Sequence, residues 1–165
     1  MKRSWQIAVA CLGVCVIDTS ARAEYDEWAV SFGPSYRGLS EAWDDTTVFR
    51  SAPGAMVRVR YGVDDFFQIG ASLEANLALA TDASTLGPIG AAFFEVHYVV
   101  DIVTWVPFVS AGIGGLVRTS VPNDDTRFDL ALMVGGGLEY RPERDWALGF
   151  TGHYDFVVTD FERAD

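Results

Sequence analysis

Two histidines, His97 and His153, are the residues of this chain best suited to proton transfer or metal binding near neutral pH. They do not form a ligand set: they stand on non-adjacent strands at different levels, and a metal site needs three or four donors around one point. Near His97 in level stand Arg60 and Glu139, and two residues further up stand Arg58 and Glu95, all five at inward-facing positions. A mixed-charge cluster in a narrow interior does one thing well. It pairs charges that would each cost several kcal/mol if buried alone. The glycine runs Gly112-Ile113-Gly114-Gly115 and Gly135-Gly136-Gly137 are not phosphate cradles, because no helix follows either. Glycine within a strand suits a crowded interior or strong curvature. The candidate set is therefore a structural ion-pair cluster, with no catalytic residue, no metal ligand and no cofactor site.

The elements that must position these residues are strands. From Phe128 to Tyr140 and from Trp146 to Val158, alternate residues are apolar (Phe128, Leu130, Leu132, Val134, Leu138, Tyr140; then Trp146, Leu148, Phe150, Tyr154, Phe156, Val158). The intervening positions are small or polar. A period of two places successive side chains on opposite faces. Each run has 13 residues, against ~5–6 for a common soluble strand. Five earlier stretches repeat the pattern: Glu27 to Tyr36, one ending at Tyr61, one from Phe67 to Leu79, one holding Ala92 to Val100, and Trp105 to Val117. Long strands with a greasy face and a small, polar face suit a bilayer-spanning barrel with lipid outside and a tight polar lumen.

The connections alternate in length. Those spanning 37–51, 81–88 and 118–127 are long or moderate; those spanning 62–66, 101–104 and 141–145 are short. Outer-membrane barrels have this asymmetry, with the tight turns in the periplasm. The long connections carry Asp44, Asp45, Asp82, Asp124 and Asp125, a set suited to solvation or to divalent cations bridging lipopolysaccharide. At the short-turn end of every strand the apolar face bears an aromatic residue: Trp28, Tyr61, Phe67, Tyr98, Trp105, Tyr140 and Trp146. Such a belt fits a membrane interface, where a ring is buried while its polar edge stays wet.

Residues 1–23 read as a cleavable export signal. Lys2 and Arg3 precede the apolar run Ile7 to Ile17, which is too short to span as a helix, and Ala21-Arg22-Ala23 is an A-x-A cleavage site. The barrel domain then covers 24–165. Both cysteines, Cys11 and Cys15, leave with the signal, so no disulfide is expected. The net charge of −11 becomes 9 − 22 = −13 once Lys2, Arg3, Arg22 and Asp18 are removed. That balance excludes nucleic acid, whose phosphates require a basic face.

The stretch PFVSAGIGG, followed by GGGLEYRPERDWALGFTGHYDF, resembles the small outer-membrane β-barrel domain family, to which the OmpA transmembrane domain belongs. The similarity covers about Trp28 to Asp160. It implies an all-β, antiparallel up-and-down transmembrane β-barrel of eight strands in a Gram-negative outer membrane. It also implies contact with outer-membrane lipid and lipopolysaccharide, insertion by the barrel-assembly machinery, and usually no catalysis. Seven strands are readable: the expectation is an eighth beyond Asp165 in a longer chain, the alternatives being that the first strand closes poorly on the seventh or that a partner supplies the edge. Lipid-trimming barrels of similar size use His, Ser and an acid, with serine two places after histidine. Here Val99 and Asp155 hold those places. The expectation is thus a non-enzymatic envelope protein acting structurally or through its surface loops. A soluble periplasmic barrel of lipocalin type is the alternative, with the apolar faces turned inward around a ligand.

Overall fold

A computed structural model describes residues 11–18, 26–43, 46–78, 87–100, 104–120, 125–143 and 146–161. Its strands are β1 (Cys11–Asp18), β2 (Trp28–Trp43), β3 (Thr46–Gly62), β4 (Phe67–Ala78), β5 (Gly87–Val99), β6 (Trp105–Ser120), β7 (Asp125–Tyr140) and β8 (Ala147–Phe161). Each pairs antiparallel with its chain neighbours, and β1 pairs with β8, so the sheet closes into a barrel. Closure leaves no sheet edge for hydrocarbon to meet, a requirement of any sheet that spans a bilayer.

The strands read from the sequence are β2 to β8. The closing strand was expected beyond Asp165, but in this structure Cys11–Asp18 takes that place, from within the segment that reads as an export signal. The run CLGVCVID is apolar enough to serve as either a signal core or a barrel stave, which is why composition could not separate the two. It pairs with β8 from Cys11 opposite His153 to Asp18 opposite Ala147, with a register shift between Val14 and Val16. Cys11 pairs with Arg37, and Ile17 and Asp18 pair with Phe32 and Ser31, with a register shift between.

Faces follow the alternation. Trp28, Phe32, Leu73, Phe94, Val109, Ile113, Val134 and Phe150 are exposed, with Leu73 at 65%. Arg37, Arg58, Arg60, Glu74, Glu95, His97, Glu139 and Asp155 are buried. That is a soluble protein turned inside out, because charged groups are ordinarily almost never interior unless paired. The lipocalin-type alternative needs the opposite orientation, and the outward apolar faces overturn it.

Two features of the sequence reading need correction. The connections 37–51 and 118–127 are mostly strand. The ladder of β2 and β3 continues to Trp43 opposite Thr46, and that of β6 and β7 to Ser120 opposite Asp125. A 16-residue strand at ~3.4 Å per residue and ~40° tilt rises roughly 40 Å, beyond an apolar band of ~25 Å. Beyond the alternating stretches the backbone pairing persists. Of the acidic connection residues, Asp125 opens β7, and Asp44, Asp45, Asp82 and Asp124 lie outside the described residues. Second, the lumen is not uniformly small and polar. Ala91, Phe93, Leu116, Ala131 and Met133 form an inward apolar cluster against Val157, and Val99, Val106 and Phe108 form another. Glycine makes room for these rings: a Cβ on Gly137 would lie 2.6 Å from Phe108 Cζ, and one on Gly114 would lie 2.5 Å from Phe93 Cδ1.

The short turns are stitched by backbone and side-chain bonds. Asp64 Oδ1 accepts from the amides of Phe66 and Phe67 at 2.7 Å each, and the Arg141 amide donates to the Thr104 carbonyl at 2.8 Å.

Candidate functional site

Among the described residues the lumen holds four groups of paired charges, each drawing on more than one strand. Lowest, nearest the short turns, is Glu139 on β7. Arg60 Nη1 on β3 donates to its Oε1 at 2.7 Å, and Arg141 donates to its Oε2 from Nη2 at 2.6 Å and from Nε at 3.0 Å. Ser31 and Gln68 lie at 3.5 Å from the Arg60 guanidinium. One carboxylate between two guanidiniums is a strong, directional arrangement.

Above it, Glu95 on β5 draws three groups together. Arg58 Nε is 3.1 Å from its Oε2, His97 Nε2 is 2.9 Å from the same oxygen, and the Ser72 hydroxyl donates to its Oε1. Glu95 and His97 are both 0% exposed. The His97 ring packs against Phe108, with centroids 5.6 Å apart. This order of groups is wrong for nucleophilic catalysis, in which histidine stands between the hydroxyl and the acid. Here the acid stands between the other two.

The third group centres on Arg37 of β2. Its guanidinium donates to Asp155 on β8 and, at 2.5 Å, to Glu74 on β4. Asn76 Nδ2 donates to Glu74 Oε1 at 2.8 Å, and Ser35 donates to Asn76 at 2.8 Å. His153 Nε2 lies 3.9 Å from Glu74 and 3.8 Å from Asp155. Nearer the long-hairpin end, Arg118 Nε donates to Asp129 at 2.8 Å.

All five residues singled out from the sequence therefore face the lumen, but as two adjacent groups: Arg60 with Glu139, and Arg58 with Glu95 and His97. The sequence reading missed Arg37, because it ended the strand at Tyr36. One further alternation, Ser31, Gly33, Ser35, Arg37, would have placed it inward. Glu74 and Asp155 fall on the buried side of their strands, where Arg37 supplies their cation. Arg141 was assigned to a turn and reaches back into the barrel.

The packing leaves little space. A cavity between Ser31, Arg58, Phe108, Glu139 and Thr151 measures about 10 Å³, about the least that holds one water. On the outside, the short-turn aromatics meet across strands. Trp28 and Tyr61 have centroids 4.9 Å apart, Phe67 and Tyr98 5.3 Å, and Trp105 and Tyr140 4.7 Å. Each of these three couples is directly paired in the ladder. Trp146, half-buried, stands just before β8.

No protein-family model matches the chain. No curated protein matches it. Among solved structures the chain is similar to Ail, the attachment invasion locus protein of Yersinia pestis, at 13% identity and a TM-score of 0.39, over 93% of this chain and 100% of that one.

Proposed function

We propose that this protein is a non-enzymatic barrel of the Gram-negative outer membrane, exported by residues 1–23, that serves the envelope structurally or through the long hairpins on its outer side. One observation carries the reading. The outward face is exposed and apolar while the inward face buries paired charges. Water cannot stabilise that outside, and a bilayer does. The aromatic couples at one level supply the interface belt. The lumen charges act as a plug, since small barrels have interiors just filled by side chains. No ligand-sized opening is needed for a structural role. The partners are outer-membrane lipid, lipopolysaccharide and the barrel-assembly machinery; the acidic charge argues against nucleic acid.

The test is fractionation of cells expressing the full gene, with gel migration compared before and after boiling. A folded barrel in the outer-membrane fraction, migrating differently once boiled, is the expected result. A monodisperse soluble periplasmic protein would refute the reading.

A further inference from the structure

The group centred on Glu95 holds one residue more than charge pairing requires. Arg58 already supplies this carboxylate with a cation, and Ser72 donates to its Oε1. His97 is added to them. Its Nε2 stands 2.9 Å from Glu95 Oε2, the oxygen that Arg58 Nε meets at 3.1 Å. The ring projects from the inward face of β5, where His97 is paired with Gln68 of β4 and Ser110 of β6. It is 0% exposed and packs on Phe108.

The two protonation states fit this place unequally. In the neutral ring a hydrogen on Nε2 meets the carboxylate, and Nδ1 carries only a lone pair. Nδ1 has no hydrogen-bond partner among the described residues, so the neutral ring leaves no donor unmet. The imidazolium adds an N–H at Nδ1 and, with it, a buried charge. The charged groups that face the ring are Arg58 and Arg60 from β3 and Glu95 from its own strand, with Glu139 of β7 beyond Arg60. From β4 and β6 come the uncharged Gln68 and Ser110. Glu139 is occupied by Arg60 and Arg141. Glu95 would then answer for two cations at one oxygen, and like charges held together in a dry interior repel strongly.

We propose that His97 is an acid-sensitive latch of the lumen plug: neutral, it completes the joint between β3 and β5; charged, it competes with Arg58 for Glu95 and loosens that joint. The inference rests on the reading of the lumen charges as the plug of an outer-membrane barrel. Such a barrel faces the external medium, so external acid is the trigger. An imidazole held neutral in the fold but free to charge in the unfolded chain makes stability fall as the pH falls. With an ordinary imidazole value of ~6.5, the folded-to-unfolded ratio should drop by up to about a hundredfold between about pH 7.5 and about pH 4.5.

The test is urea unfolding of the full chain in phosphatidylcholine vesicles at both pH values, read by the boiling-dependent gel shift. His97→Gln keeps an uncharged N–H for Glu95 and cannot charge. On acidification the unmutated barrel should lose at least about tenfold more of its folded-to-unfolded ratio than His97→Gln. The same gap should separate His153→Gln from the double change His97→Gln with His153→Gln, which shows that the other buried histidine is not its source. Carboxylates titrate alike in all four chains and cancel. Equal losses with and without His97 overturn the proposal. Should His97→Gln fail to fold, the ring-nitrogen chemical shifts of the ¹⁵N-histidine-labelled unmutated barrel decide: a neutral His97 ring at about pH 7.5 supports the latch, and a charged one overturns it. Steady channels in planar bilayers at about pH 7.5 refute the plug reading instead, whereas a closed barrel whose acid response ignores His97 refutes only the latch.

Discussion

Replacing Glu95 by alanine removes the one acceptor on which Arg58, His97 and Ser72 converge. The Arg58 side chain is 4% exposed and that of Glu95 is not exposed at all, so water reaches neither end of the pair. The orphaned guanidinium then lacks its nearest carboxylate, a situation that costs on the order of 3–5 kcal/mol in a dry interior. Losing the Ser72 acceptor adds ~1–3 kcal/mol if the hydroxyl finds no other partner. The loss should thus lie at about 4–8 kcal/mol, and lower if the small neighbouring cavity admits a water to Arg58. Arg58→Ala leaves the carboxylate buried with Ser72 and His97 still on it, and should cost less. The double change deletes both charges, and its cost should fall short of the sum of the single changes by ~1–3 kcal/mol, as for coupled neighbours. Urea unfolding of the barrel in lipid vesicles, read by the gel shift and tryptophan fluorescence, measures all three. Costs that add to within ~0.5 kcal/mol would show that Arg58 and Glu95 do not form an energetic unit, and the plug argument would fail with them.

The face assignment predicts that Val134→Arg, outward near mid-strand on β7, costs ~2–4 kcal/mol in lipid-based unfolding while Val134→Leu is near neutral; equal tolerance of both would show that this face does not meet lipid. With its lumen closed by Arg60, Glu139 and Arg141 below and by Arg37, Glu74 and Asp155 above, the unmutated barrel should give no steady channels in planar bilayers, and large stable conductance would contradict the plug. Processing after Ala23 should yield an outer-membrane form whose intact mass begins at Glu24, which removes β1 and its ladders to β2 and β8; a mass that includes Met1 would instead make Cys11–Asp18 a permanent stave.

Alternation determined seven of the eight strands and their faces. A strand exposes its two faces independently, so wherever lipid meets one and a packed lumen the other, the period of two is written residue by residue, from Trp28 to Tyr36 as from Trp146 to Val158. The aromatic couples were legible for the same reason: their strand positions and the short turns fix one level. The pairing of charges was not. Which carboxylate meets which guanidinium depends on register and on the curvature that brings β2, β4 and β8 around one axis, and no local pattern encodes either. Arg37 shows the difference. Its neighbours in sequence suggest a loop, yet the ladder to β3 continues past it, and closure sets it between Glu74 and Asp155. The closing strand shows it again. CLGVCVID carries no alternation that separates a signal core from a stave, and only the two edges waiting at β2 and β8 decided its place in this structure.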